Sequence, residues 1–141
     1  MKALSGACLC GAVSVRVAQP DARVELCQCT MCRRWGGGYF AGIGGKDAEI
    51  DGTANVTGYR SSNWAERAFC NTCGSNLWFT FLPTEHRSFC AGLFDDLQDV
   101  MIDKEIFCDS ATAWSATDGS HKRQTGAEVI AEAEATGFTF D

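Results

Sequence analysis

Nine cysteines stand in this 141-residue chain. Seven of them fall in three short groups, Cys8-Leu9-Cys10-Gly11, Cys27-Gln28-Cys29-Thr30-Met31-Cys32 and Cys70-Asn71-Thr72-Cys73-Gly74. Thiolates bind soft cations and attack electrophilic carbon, so groups of this kind are where chemistry is sought first. Residues two apart on a helix point to opposite sides, whereas on an extended segment they share a face about 6.5–7 Å apart. Each C-x-C is therefore read as an extended-chain ligand pair. In Cys70-x-x-Cys73-Gly74 the glycine can take the positive φ that a tight zinc knuckle needs, and a strand-like run follows.

A closed tetrahedral zinc site takes four ligands, and two pairs make four. Cys8, Cys10, Cys70 and Cys73 are read as one structural zinc site. Cys27, Cys29 and Cys32 remain as three thiolates around a second ion with an open position, the mark of a catalytic centre. The C-x-C-x-x-C spacing also suits an iron–sulfur cluster, but the knuckle chemistry of the first group favours zinc. The closed site would tie the first strand to the middle of the chain. Three thiolates and a divalent zinc leave the open centre with net negative charge, better suited to a substrate thiol than to activating water. A thiol entering the open position would lose its proton at neutral pH. The sequence thus points to thiol chemistry with two zinc ions per chain.

Composition narrows the rest. The length suits a single domain over residues 1–141, and 45% hydrophobic residues with 9 Phe and 4 Trp supply a core. Disorder is excluded. Twelve Lys and Arg against 18 Asp and Glu give a net charge of −6, the wrong sign for holding nucleic acid through its phosphates. Met1 to Ala7 carries no apolar run of signal-peptide length, and no stretch reaches the roughly 18 apolar residues of a membrane span. No membrane partner is expected, and the expected compartment is the cytoplasm. There, clustered cysteines serve as metal ligands or catalysts rather than as disulfides.

The elements that must position these groups read as short strands. Val13, Val15 and Val17 alternate with Ser14 and Arg16, the period of a half-buried strand. Val24 to Cys27, Tyr39 to Ile43, Val56 to Arg60, Arg67 to Cys70, Leu77 to Leu82, Ser88 to Ala91 and Lys104 to Cys108 are rich in β-branched or aromatic residues, and turn formers separate many of them. The fold class is therefore all-β. One short C-terminal helix is predicted over Ala127 to Ala135, with Gly137 as its stop.

The order Gly6-x-Cys8-x-Cys10-Gly11, Cys27-x-Cys29-x-x-Cys32-Arg33, Tyr59-Arg60-Ser61-Ser62 and Arg67-x-Phe69-Cys70-x-x-Cys73-Gly74-Ser75-x-Leu77 resembles the glutathione-dependent formaldehyde-activating enzyme family, which includes centromere protein V. Gly92-Leu93-Phe94-Asp95-Asp96 extends the likeness, which runs from about Gly6 to Asp96. The resemblance implies a tent-like fold of several small coiled antiparallel sheets organised around zinc knuckles. It implies the same two zinc sites and a carbon–sulfur lyase that joins glutathione, or a similar thiol, to formaldehyde or another small aldehyde. Where many members carry a His beside the first cysteine of the middle group, a His-Ile pair and a Pro-Trp pair, this chain has Gln28, Glu105-Ile106 and Ala113-Trp114.

On this reading Cys27, Cys29 and Cys32 are catalytic. Arg33 and Arg34 pair with substrate carboxylates, Trp35 forms an apolar wall, and Gly36 to Gly38 either let a substrate backbone approach or form a turn. Asp95 and Asp96 are candidates for the acid that protonates the product oxygen. Gly45-Lys46 lacks the other residues of a phosphate loop. His86 and His121 read as isolated, exposed histidines, and Cys90 and Cys108 as buried thiols. Two other readings are a zinc module that only binds a protein partner, and a methionine sulfoxide reductase with Cys108 as nucleophile.

Overall fold

From its N-terminus the chain, in a computed structural model that describes residues 1–140, runs β1 (Leu4–Ala7), β2 (Ser14–Pro20), β3 (Val24–Cys27), α1 (Thr30–Gly36), β4 (Phe40–Ile43), β5 (Gly45–Asp51), β6 (Val56–Ser62) and β7 (Ala65–Cys70). It continues through β8 (Asn76–Phe81), β9 (His86–Cys90), β10 (Ile102–Ile106), β11 (Lys122–Gln124) and α2 (Gly126–Glu134), with four single 3-10 turns between strands. All eight strand runs expected from alternation and composition are present. The chain divides into two units, each assembled from two separate stretches: Met1–Ala22 with Gly42–Val100, and Arg23–Ala41 with the chain from Met101 onward.

The first unit is antiparallel throughout. β2 lies between β1 and β5, with Gly6 opposite Val15 and Val15 opposite Ile50. Val13, Val15 and Val17 are fully buried, as their alternation requires. Strands β9, β8, β7 and β6 form consecutive antiparallel neighbours, and Gly42 and Ile43 of β4 pair with Cys90 and Phe89 of β9. Trp78 meets Phe89 edge-on at 5.9 Å between ring centroids, and Leu77, Ile43 and Ala65 are buried with them. Strand β5 was not legible in Gly45-Lys-Asp-Ala-Glu-Ile-Asp51. Its residues have low strand propensity, and the ladder to β2 imposes the extended form.

The second unit departs from the antiparallel expectation. β10 pairs in parallel with β3 on one side and β11 on the other, with Glu105 opposite both Leu26 and Arg123. A parallel pair needs a long crossover, and more than seventy residues separate β3 from β10 in sequence. Among the described residues two α-helices are present rather than one. α2 spans Gly126–Glu134, within a residue of its predicted bounds, with Thr125 and Glu128 forming a reciprocal capping box and Gly137 beyond it at φ 92°. α1 carries no helical hydrophobic period. It forms because the Cys29 sulfur accepts the Cys32 N–H at its start and Gly37, at φ 87°, stops it.

Candidate metal centres

The four-cysteine group sits wholly in the first unit. Cys8 and Cys10 lie in the turn that follows β1, closed by the Gly11 N–H donating to the Cys8 carbonyl at 3.1 Å, with Gly11 at φ 76°. The first C-x-C is therefore a turn and not an extended pair. The turn brings its sulfurs to 3.6 Å from each other. Cys70 ends β7, and the Gly74 N–H donates to its carbonyl at 2.8 Å while Gly74 takes φ 79°, the knuckle geometry its sequence predicts. The Cys10 and Cys70 sulfurs are 3.8 Å apart, and all four sulfurs lie within 4.8 Å of one another. Tetrahedral bonds of about 2.3 Å place neighbouring sulfurs about 3.8 Å apart, so the donor set fits zinc.

Hydrogen bonds already favour thiolates in this cage. The Ser75 hydroxyl, 3.2 Å from the Cys73 sulfur, and then the Ser75 backbone hold Cys73 down at about 5. The Val13 N–H points at the Cys8 sulfur at 3.3 Å. At Cys10 the Ala12 N–H favours the thiolate, but burial and the neighbouring sulfurs of Cys8, Cys73 and Cys70 push it up to about 11. Several like charges cannot share so small a space without a cation. Ser75 escapes a reading that considers cysteines alone, and its place directly after the knuckle glycine is the signal that marks it.

The three-cysteine group sits wholly in the second unit. Cys27 ends β3, Cys29 is the extended residue before α1, and Cys32 is buried in the first turn of that helix. Their sulfurs all lie within 4.8 Å of one another, and no fourth His, Cys, Asp or Glu joins the group among the described residues. The second C-x-C is extended at Cys29, with φ −63° and ψ 159°. Cys27 is held far above the ordinary thiol range, first by hydrogen bonding to the sulfurs of Cys29 and Cys32, then by burial, then by their charge. Three sulfurs that resist simultaneous ionisation are a donor set that a divalent cation satisfies.

The other candidate residues are placed as follows. Arg33 donates from Nη1 to the Ser110 carbonyl at 3.3 Å, so part of its guanidinium is committed within the unit. Arg34, one helical position on, is exposed. Trp35 stacks on Phe40 at 5.5 Å and 26°. Gly37 serves as the turn that ends α1. The ring of Trp114, 68% exposed, lies 3.7 Å from where a Cβ on Gly38 would sit. Asp95 and Asp96 are exposed on a 3-10 turn of the first unit.

Three readings need correction. Cys90 and Cys108 are half-buried rather than buried. His86 is exposed, but the His121 side chain is only 6% exposed, with its Nε2 3.2 Å from Thr117 Oγ1 and 3.5 Å from Glu105 Oε1. Its burial follows from Glu105, an interior carboxylate that gathers polar partners from every side.

The sequence profile of the glutathione-dependent formaldehyde-activating enzyme family matches residues 3–110, beyond the span over which the motifs alone show the likeness. An uncharacterized lyase of Schizosaccharomyces pombe is 29% identical over 111 residues, covering 77% of this chain and 81% of that protein. A Halomonas elongata protein named "Putative glutathione-dependent formaldehyde-activating enzyme" is 36% identical over 86 residues, and the match spans 54% of its length. A crystal structure of a Rhodobacter sphaeroides protein superimposes with a TM-score of 0.56 at 28% identity, covering 69% of this chain and 97% of that one. With more than half of its length matched, the chain belongs to the glutathione-dependent formaldehyde-activating enzyme family.

Proposed function

We propose that this protein is a zinc-dependent carbon–sulfur lyase that makes and breaks the bond between glutathione, or a similar thiol, and formaldehyde or another small aldehyde. The observation that carries this reading is the three-sulfur centre of Cys27, Cys29 and Cys32, which has no fourth protein ligand among the described residues. Family membership and the lyase name of the yeast relative support it. Cys8, Cys10, Cys70 and Cys73 hold a second, structural zinc. Among the described residues no helix is long and apolar enough to cross a membrane, and a reducing cytoplasm, where thiols and glutathione persist, suits the chemistry.

Cys27, Cys29 and Cys32 would hold a zinc ion, which would supply the Lewis acidity that lets a substrate thiol lose its proton at neutral pH. Among the described residues no fourth protein ligand joins Cys27, Cys29 and Cys32, which would leave a place for the substrate sulfur. In the synthetic direction the substrate sulfur forms a bond to the aldehyde carbon, the carbonyl π electrons pass to oxygen, and that oxygen takes a proton. The reverse order breaks the bond. Arg34, exposed on α1 two residues beyond Cys32, offers a cation to a carboxylate of the tripeptide. Arg33 contributes what its bond to Ser110 leaves available, and Trp35 offers an apolar face. The reading places this machinery in one functional unit over residues 1–141.

Carbon NMR of labelled formaldehyde with glutathione tests the reading, by comparing exchange with and without protein. Exchange well above the spontaneous rate, abolished by Cys29→Ala, is the expected result. Exchange no faster than the spontaneous reaction would leave a zinc module without this activity.

A further inference from the structure

The interior of the second unit holds polar side chains that the proposed chemistry leaves unused. Gln28, between two of the three sulfur ligands, is 2% exposed, and Glu105 is wholly buried. Gln28 Nε2 donates to Glu105 Oε2 at 2.9 Å and to the Ser115 carbonyl at 2.8 Å, while the Ser115 hydroxyl donates to Gln28 Oε1 at 3.0 Å. Its backbone N–H donates to the Ile106 carbonyl at 3.0 Å. Both amide protons, the amide oxygen and the backbone N–H of one residue are thus committed. On the far side, Arg123 Nε donates to Glu105 Oε1 at 2.8 Å and Thr117 Oγ1 donates to it at 3.0 Å.

Direction matters in this arrangement. A glutamine amide can be turned end for end, but the Glu105 carboxylate and the Ser115 carbonyl only accept, so they admit one orientation of Gln28. An apolar side chain of similar volume would fill the same space without needing four partners. Burying polar groups instead costs free energy unless every one is satisfied, and what a fully satisfied network provides is one unique geometry. That geometry is imposed on the turn between Cys27 and Cys29. The four-cysteine centre is closed by its own ligands, whereas three ligands leave a centre free to distort unless the chain holds them.

We propose that Gln28, oriented by Glu105 and Ser115, is the positioning residue of the three-cysteine centre, setting where the Cys27 and Cys29 sulfurs stand. The inference rests on the metal-binding reading given above. Supporting partners behind metal ligands are typically worth about 10- to 100-fold in metal affinity.

The test uses the whole protein loaded with cobalt, comparing each variant with its own Cys29→Ser derivative so that the difference spectrum reports the three-cysteine centre alone. Gln28→Met keeps the side chain's bulk and removes its hydrogen bonds. The expected result is an altered cobalt difference spectrum and zinc affinity about 10- to 100-fold weaker at this centre, with metal retained at the four-cysteine centre. A Gln28→Met protein with wild-type spectrum and affinity overturns the inference and leaves the lyase reading standing. A wild-type protein that takes no cobalt on Cys27, Cys29 and Cys32 overturns both. Should Gln28→Met lose metal from both centres through unfolding, Ser115→Ala, which removes the bond to Oε1 together with the Ser115 hydroxyl's 3.0 Å contact to Thr112 Oγ1, decides with Thr112→Val as its control: a spectrum altered by Ser115→Ala and not by Thr112→Val supports the role of Gln28, and any other outcome overturns it.

Discussion

The sulfur of Cys10 stands 3.8 Å from the sulfur of Cys70, sixty residues further along the chain. Nothing in the local conformation of either turn requires that approach, and a shared cation would make it favourable. Metal binding at such a cage is worth on the order of 10 kcal/mol or more in isolated zinc modules, comparable to the whole stability of a domain. Native mass spectrometry is expected to find two zinc ions per chain, and a strong chelator to unfold the first unit cooperatively, followed by circular dichroism. Cys70→Ala is expected to do the same without chelator. A chain that keeps its melting temperature after complete zinc removal would contradict this.

The two centres should separate under mutation, because their ligands come from different units. Cys29→Ala is expected to lower zinc content from two ions to one and to bring thiol–aldehyde exchange down to the spontaneous rate. The melting transition of the first unit should move little. Zinc counting by elemental analysis beside a calorimetric scan checks all three outcomes together.

Acid should expose the buried carboxylate. Burial raises Glu105, but hydrogen bonds from Gln28, Arg123, Thr117 and His121 outweigh it and hold the carboxyl below its ordinary 4.5. A folded value below the unfolded one means that the unfolded chain takes up the proton first. The stability contributed by the ionised form is therefore complete above the unfolded value and is lost as pH falls through the folded one. Glu105→Gln is expected to be less stable than wild type at neutral pH, with the gap closing as pH falls below the ordinary carboxyl value of 4.5 and through the lowered folded one. Denaturant midpoints measured across pH for both proteins check the sign, and a gap that widens in acid would refute it.

Close packing predicts a further sensitive position. A Cβ on Gly6, in β1 opposite Val15, would run into the Leu93 carbonyl and come within 2.9 Å of the Phe94 ring. The obstacle includes backbone, which cannot swing aside. Gly6→Ala is expected to cost about 2–3 kcal/mol, read as a lowered midpoint in denaturant. Gly92→Ala, where a Cβ meets nothing within 4 Å, serves as the control and should change little.

Sequence alone determined the grouping of the cysteines into four and three, because residue type and spacing are local properties and zinc accepts few donor sets. It also determined the strand-rich class and the C-terminal helix, because alternation and the Ala and Glu run act within a few residues. What only the tertiary structure decided was set by partners far away in the chain. The parallel ladders of β10 and the polar strand β5 owe their form to neighbours that no window of sequence contains. Helix α1 depends on a cysteine sulfur serving as its cap, a role that the ligand reading of Cys29 conceals. Gln28 and Glu105 stand seventy-seven positions apart, and each read singly is a polar residue with no assigned task. Folding removes both from water, and a buried amide and carboxylate must then find each other or pay the full cost of desolvation.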